Sequence, residues 1–167
     1  VRTSPSSSKK SSGTIAHSPT GMAFGSEIHA LFETVGWIDE DSVAMPNTEA
    51  GTLVKDLFGQ PEFNELFSRK GRAVDLFREQ AVESILDGKW LSGVMDRLHV
   101  FRDADGAVSE IELIDFKTDA IADPEDLVER YAGQMRMYAK ALGLLYPGAK
   151  LRCLLVSTRL RKIIECQ

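Results

Sequence analysis

A chain of 167 residues holds one domain with a sizeable core and leaves too little for two. Hydrophobic residues at 43% and charged ones at 27% are ordinary for a soluble globular protein. No apolar run approaches the ~20 residues that span a bilayer, which excludes a helical membrane protein. The formal net charge of −5 speaks against gripping nucleic acid through overall charge, yet leaves room for an acidic metal site.

The chain opens on Val rather than Met, as expected of a piece of a longer protein, and no signal-peptide pattern follows. Residues 1–20 (VRTSPSSSKKSSGTIAHSPT) are rich in Ser, Lys, Thr and Pro and read as a flexible linker, His17 included; residues 21–167 read as the folded domain. Phe24, Ile28, Leu31, Phe32 and Val35 stand at helical spacing and predict a helix over 24–36. Two shorter helices are expected at 49–58 and 61–69, the second opened by Pro61. Residues 74–86 are β-compatible, and 90–101 and 108–117 alternate as strands. A long amphipathic helix is predicted over 124–146, between Pro124 and Pro147-Gly148. Residues 151–157 (LRCLLVS) read as a buried strand and 160–165 as a last one, and there is no glycine-rich phosphate loop.

Cys153 and Cys166 cannot fill a four-thiolate zinc or iron–sulfur site, nor do they suggest a secreted disulfide scaffold. A reducing, cytoplasmic setting is expected.

Between the two best strands lies Asp105-Gly106, the preferred centre of a two-residue type I′ turn. That turn makes cross-strand partners sum to 211, so Val100 faces Ile111, Leu98 faces Leu113 and Asp96 faces Asp115. The apolar pairs mark the inward face, and Lys117 shares it by period two. Two opposed carboxylates at the end of an apolar face repel one another and are costly to bury. Lys117 balances one charge, and a divalent cation would balance the rest. The bland alternative is a structural ion cluster of Asp96, Asp115 and Lys117 with Arg97 or Arg102 nearby.

His29 borders the apolar stripe of the first helix, as a boundary residue or as a third ligand for that cation. Gly25, one turn earlier, would let another group approach closely. On the long helix, Gln134 falls within the arc of Leu127, Tyr131, Met135, Tyr138, Leu142 and Leu145, where its amide needs partners. Tyr131 reads as core packing.

In order, the chain carries Gly25-Ser-Glu-Ile-His29, Gly93-Val-Met-Asp96, Asp115-Phe-Lys117-Thr118 and Gln134-Met-Arg-Met-Tyr138. This series resembles the RecB-like branch of the PD-(D/E)XK nuclease superfamily, and especially the C-terminal nuclease domain of AddA- or RecB-type helicase–nucleases. The resemblance implies an α/β fold with a restriction-endonuclease-like core: a mixed central β-sheet flanked by helices, with the active site on a β-hairpin. It implies that His29, Asp96, Asp115 and the Phe116 carbonyl bind Mg²⁺, or Mn²⁺, and that Lys117 orients or deprotonates the attacking water. Gln134 and Tyr138 would support the site or contact DNA. Glu79 would match an acidic residue that some relatives carry, where it is otherwise a surface strand residue.

The activity so implied is metal-dependent hydrolysis of DNA, as an exonuclease rather than an endonuclease, within an ATP-dependent helicase–nuclease of recombination and double-strand-break repair. No Walker A motif is present, so a helicase motor would lie elsewhere in the parent chain or on a partner subunit. The alternative is a catalytically silent nuclease-fold module for DNA binding or docking.

Overall fold

Alternating apolar residues commit the middle of the chain to strands, and helical apolar spacing before and after them supplies the covering layers. The computed structural model describes Pro19–Cys166. The helices are α1 (Pro19–Thr34), α2 (Glu49–Phe58), α3 (Pro61–Phe67) and α4 (Pro124–Leu145). The strands are β1 (Val74–Leu86), β2 (Lys89–Arg102), β3 (Val108–Lys117), β4 (Lys150–Ser157) and β5 (Lys162–Cys166). Residues 19 and 20, assigned above to the linker, already belong to α1; the rest of that linker, His17 included, lies outside the described residues. Among the described residues no helix is long and apolar enough to cross a membrane.

The five strands form one sheet in the order β1-β2-β3-β4-β5. All neighbours are antiparallel except β3 and β4, which run parallel because α4 carries the chain back across the sheet between them. This is the mixed sheet flanked by helices that the motif series implies. On one face α1, α2 and α3 pack Ile28, Phe32, Val54, Leu57 and Phe67 against Ile114, Phe116, Leu154 and Val156. The Phe32 ring stacks on Phe116 with centroids 4.2 Å apart. On the other face α4 buries Leu127, Met135, Tyr138 and Leu142 against Leu91, Met95, Leu98, Leu113 and Leu155.

Local signals set the helix ends. Thr48 caps α2, its hydroxyl accepting from the Gly51 N–H at 3.1 Å and donating to Glu27 at 2.6 Å, which ties α2 to α1. Asp123 caps α4 by accepting from the Glu125 and Asp126 N–H groups.

The hairpin differs from expectation in a compensated way. The turn is not a two-residue type I′ turn on Asp105-Gly106. Gly106 N–H donates to the Asp103 carbonyl and Asp103 N–H to the Ala107 carbonyl, so the loop has Ala104, Asp105 and Gly106, the last at φ 82°. The register then shifts between Phe101 and Arg102, leaving Ser109 as an extra residue. The two one-residue departures cancel, and Leu98 faces Leu113 and Val100 faces Ile111 as predicted.

A second irregularity is not compensated. Between β1 and β2, Arg78 pairs with Arg97 and Gln80 with Met95, but the intervening Glu79 and Asp96 are not paired, and Glu79 adopts a left-handed φ of 50°. There the alternation slips. Below it Leu91 and Met95 face α4; above it Leu98 and Val100 do.

Candidate active site

The slip decides where Asp96 points. Strict period two places it on the α4 face with Leu98; instead it turns toward α1. There its Oδ2 accepts from the Phe116 N–H at 2.8 Å and stands 3.9 Å from His29 Nδ1. The β2–β3 ladder ends at Arg97 opposite Ile114, one pair short of Asp96 and Asp115, so the expected direct opposition is not part of the ladder. Beyond that pair the Asp96 carboxylate does what a backbone carbonyl would have done.

Burial foremost, and then the nearby charge of Asp115, push the Asp96 carboxyl up to about 6, against the pull of the Phe116 N–H, His29 and Lys117. Asp115 is the more deeply buried of the two, at 2% exposure. Lys117 Nζ lies 2.6 Å from Asp115 Oδ2. That contact is off the direction a hydrogen bond requires, and Oδ2 has no hydrogen-bond partner.

From the α4 side a relay holds Lys117. Its ammonium sits 3.8 Å from the centroid of the Tyr131 ring and donates to Gln134 Oε1 at 3.4 Å. Gln134 Nε2 reaches the Tyr138 hydroxyl at 3.3 Å, which donates to the Val94 carbonyl at 3.1 Å. Gln134 and Tyr138 thus position Lys117 and anchor α4 to β2. Gly93 is part of the same device, because a Cβ there would stand 2.5 Å from the Tyr138 hydroxyl. Gly25 serves likewise on α1, where a Cβ would stand 2.8 Å from Thr118 Oγ1. Tyr131, read as core packing, is only partly buried and donates to Asp119 at 2.6 Å. Burial, then that hydrogen bond, push its phenol up to about 12, so it stays a donor at neutral pH.

A groove of about 520 Å³ opens where these elements meet, lined by Met22, Gly25, Ser26 and His29 of α1 together with Glu79, Asp96, Thr118 and Asp119. Glu79 is solvent-exposed, as a surface strand residue would be. It also stands across from Asp96 and lines the same groove, on a backbone conformation that is uncommon outside glycine and concentrates at functional sites. Asp119 and Thr118 carry no spacing signal of their own, although they directly follow Lys117. Arg97, expected as a neighbour of the carboxylates, is engaged elsewhere on the α1 side: it is fully buried and donates to the Val35 and Gly36 carbonyls beyond the end of α1.

Among the described residues, no three His, Cys, Asp or Glu side chains are arranged to hold a metal ion. The donor set nevertheless fits one. Asp115 Oδ2 is a buried oxygen without a hydrogen bond, Asp96 keeps a raised pKa, and His29 and Glu79 border the same groove. Carboxylate oxygens with one imidazole suit Mg²⁺ or Mn²⁺.

Comparison with known proteins bears on the same residues. The PD-(D/E)XK nuclease superfamily matches residues 10–164. The chain is similar to an ATP-dependent helicase/nuclease subunit of Streptococcus suis, 29% identical over 154 residues, covering 82% of this chain and 12% of that protein. It is also similar to the protein of the same name from Lactiplantibacillus plantarum, 55% identical over 38 residues, covering 23% of this chain and 3% of the relative. The chain therefore spans a small fraction of the curated relatives it matches.

Proposed function

This chain belongs to the PD-(D/E)XK nuclease superfamily, and from that premise we propose that residues 21–167 form a metal-dependent deoxyribonuclease domain, acting as an exonuclease rather than an endonuclease. The observation that carries this reading is the pair of carboxylates Asp96 and Asp115 sharing Lys117, with one buried Asp115 oxygen lacking a hydrogen bond, the Asp96 carboxyl raised, and Asp96 lining a groove.

Asp96, Asp115, His29 and the Phe116 carbonyl would hold Mg²⁺, with Mn²⁺ as an alternative and Glu79 as a further acidic group on the groove. When bound, the cation would lower the pKa of a water and neutralise phosphate charge. Lys117 places a localised positive charge beside the scissile phosphate and orients the attacking water. Gln134 and Tyr138 hold Lys117 from α4, and Tyr131 supports its ammonium from below.

The named relatives motivate a wider proposal. The domain is the cutting end of an ATP-dependent helicase–nuclease of recombination and double-strand-break repair, working on DNA in the cytoplasm. Its helicase lies in the same parent chain or on a partner subunit.

The test is hydrolysis of labelled DNA with Mg²⁺ or Mn²⁺, with EDTA and Lys117→Ala as controls. Metal-dependent cleavage that Lys117→Ala abolishes supports the reading. Absence of both cleavage and a metal-induced thermal shift would replace it with a silent docking module.

A further inference from the structure

Lys117 meets more than its carboxylate. Its side chain is 13% exposed and its ammonium stands 2.6 Å from Asp115 Oδ2, so the low local dielectric draws it toward a closed ion pair. The pair is not closed, since the contact lacks the direction of a hydrogen bond and Oδ2 remains without one. Two groups on α4 compete for the ammonium. Gln134 Oε1 accepts from Nζ at 3.4 Å, and the Tyr131 ring presents its face with the centroid 3.8 Å from Nζ. They stand three residues apart and share one face of the helix. The far end of the ring is fixed as well. The Tyr131 hydroxyl donates at 2.6 Å to Asp119, which follows Lys117 and Thr118 in the link between β3 and α4. Held at Cβ by α4 and at its hydroxyl by Asp119, the ring cannot turn its edge to the ammonium. Donation to a carboxylate also polarises the phenol, which makes its face a better partner for a cation. The Arg130 guanidinium, 5.8 Å from the same centroid, is more distant. Asp119 lines the candidate active-site groove and Tyr131 is not among its lining residues, so the ring acts on Lys117 rather than on substrate.

We propose that Asp119 and Tyr131 form a clasp that positions Lys117: Asp119 fixes the phenol, and the ring face holds the ammonium short of a closed ion pair with Asp115, leaving it a donor for phosphate or water. The kinetic consequence rests on the nuclease reading; the clasp itself does not. Tyr131 and Asp119 are positioning residues that act through Lys117. Core packing, the role that the apolar arc of α4 gives Tyr131, needs neither the bond to Asp119 nor the ring face under the ammonium.

Metal-dependent cleavage of labelled DNA gives the first readout. Tyr131→Leu should lower kcat roughly 2- to 30-fold, the range of one cation–π contact, with KM little changed. Tyr131→Phe keeps the ring and should recover most of that loss. Asp119→Asn loosens the hold on the phenol without emptying the core, and should fall between the two. The second readout is independent of cleavage. In metal-free protein the ε-methylene protons of Lys117, assigned by their loss in Lys117→Ala, should resonate upfield of the other lysines through the Tyr131 ring current. That shift should persist in Tyr131→Phe and vanish in Tyr131→Leu. Its absence from the unsubstituted chain overturns the clasp whether or not DNA is cut. So does active protein in which Tyr131→Leu leaves kcat unchanged or raises KM alone. A loss of activity that tracks the urea midpoint and is not recovered by Tyr131→Phe also overturns it, in favour of core packing. The expected shifts without metal-dependent cleavage support the clasp and count against the nuclease reading.

Discussion

Two buried polar clusters share the same strands and differ in how completely their charges are answered. Asp96 and Arg97 are consecutive, yet Asp96 turns to the groove and Arg97 to the floor beneath α1. On the Arg97 side every group has a partner. Arg97 donates to two carbonyls and to His99 Nε2, and it lies over the Trp37 and Phe67 rings. His99 Nδ1 meets Glu112 at 2.9 Å, and Arg152 bridges Glu112 to Glu165. On the Asp96 side a carboxylate oxygen lacks a hydrogen bond and a second carboxyl is held above its ordinary range. The saturated cluster locks α1 to the sheet; the unsaturated one keeps capacity for a ligand. Deep burial of charge is thus no sign of function by itself, and incomplete satisfaction is the sharper sign.

That contrast breaks most visibly if the unsaturated cluster proves dispensable. Asp115→Ala or Lys117→Ala should lower metal-dependent cleavage by at least ~10²–10³-fold with the fold kept, as read by single-turnover hydrolysis and circular dichroism. Removing a member of the saturated cluster should do the reverse. Arg97→Ala strands two carbonyls and His99, and should cost on the order of 3 kcal/mol in urea unfolding, with activity falling only as the protein unfolds. Gly93→Ala tests the bridge to α4: displacing Tyr138 should cost about 1–3 kcal/mol and also slow cleavage through Lys117.

The smallest effect is the most discriminating. The raised carboxyl of Asp96 means that the folded chain binds its proton more tightly than the unfolded one. In metal-free protein its contribution is therefore present below pH 3.8 and lost as pH rises through about 6. His99 runs the other way. Burial foremost pushes it down to about 4 from 6.5, so its contribution is present above pH 6.5 and lost as pH falls toward 4. Asp96→Asn should stabilise metal-free protein by roughly 1–2 kcal/mol at pH 8 and by nothing near pH 4, measured by urea midpoints across that range. A difference between the two proteins that does not change with pH would show that Asp96 is not strained.

The helices and strands were legible because their signals are local: apolar spacing, Pro124 at a helix start, Asp105-Gly106 near a turn. The hairpin shows how a right answer can rest on a wrong intermediate. The loop through Ala104–Gly106 and the extra Ser109 each shift the register by one, in opposite senses, and Leu98 still meets Leu113. Hydrophobic pairing selected the final register and left the turn to adapt.

The slip at Glu79 and Asp96 had no such signal. It depends on a free N–H at Phe116 and an α1 histidine, both remote in sequence. Nor did alternation reveal that Arg97, His99 and Glu112 would be buried as a set, since their partners come from the α1 exit and β4. By itself the sequence determined the elements, the sheet-forming hairpin and the residues that carry the motif series. Tertiary structure alone decided which way Asp96 faces, which charges are answered and where Glu79 stands. Backbone periodicity is set between near neighbours, whereas satisfying a buried charge requires partners that only the folded chain brings within reach.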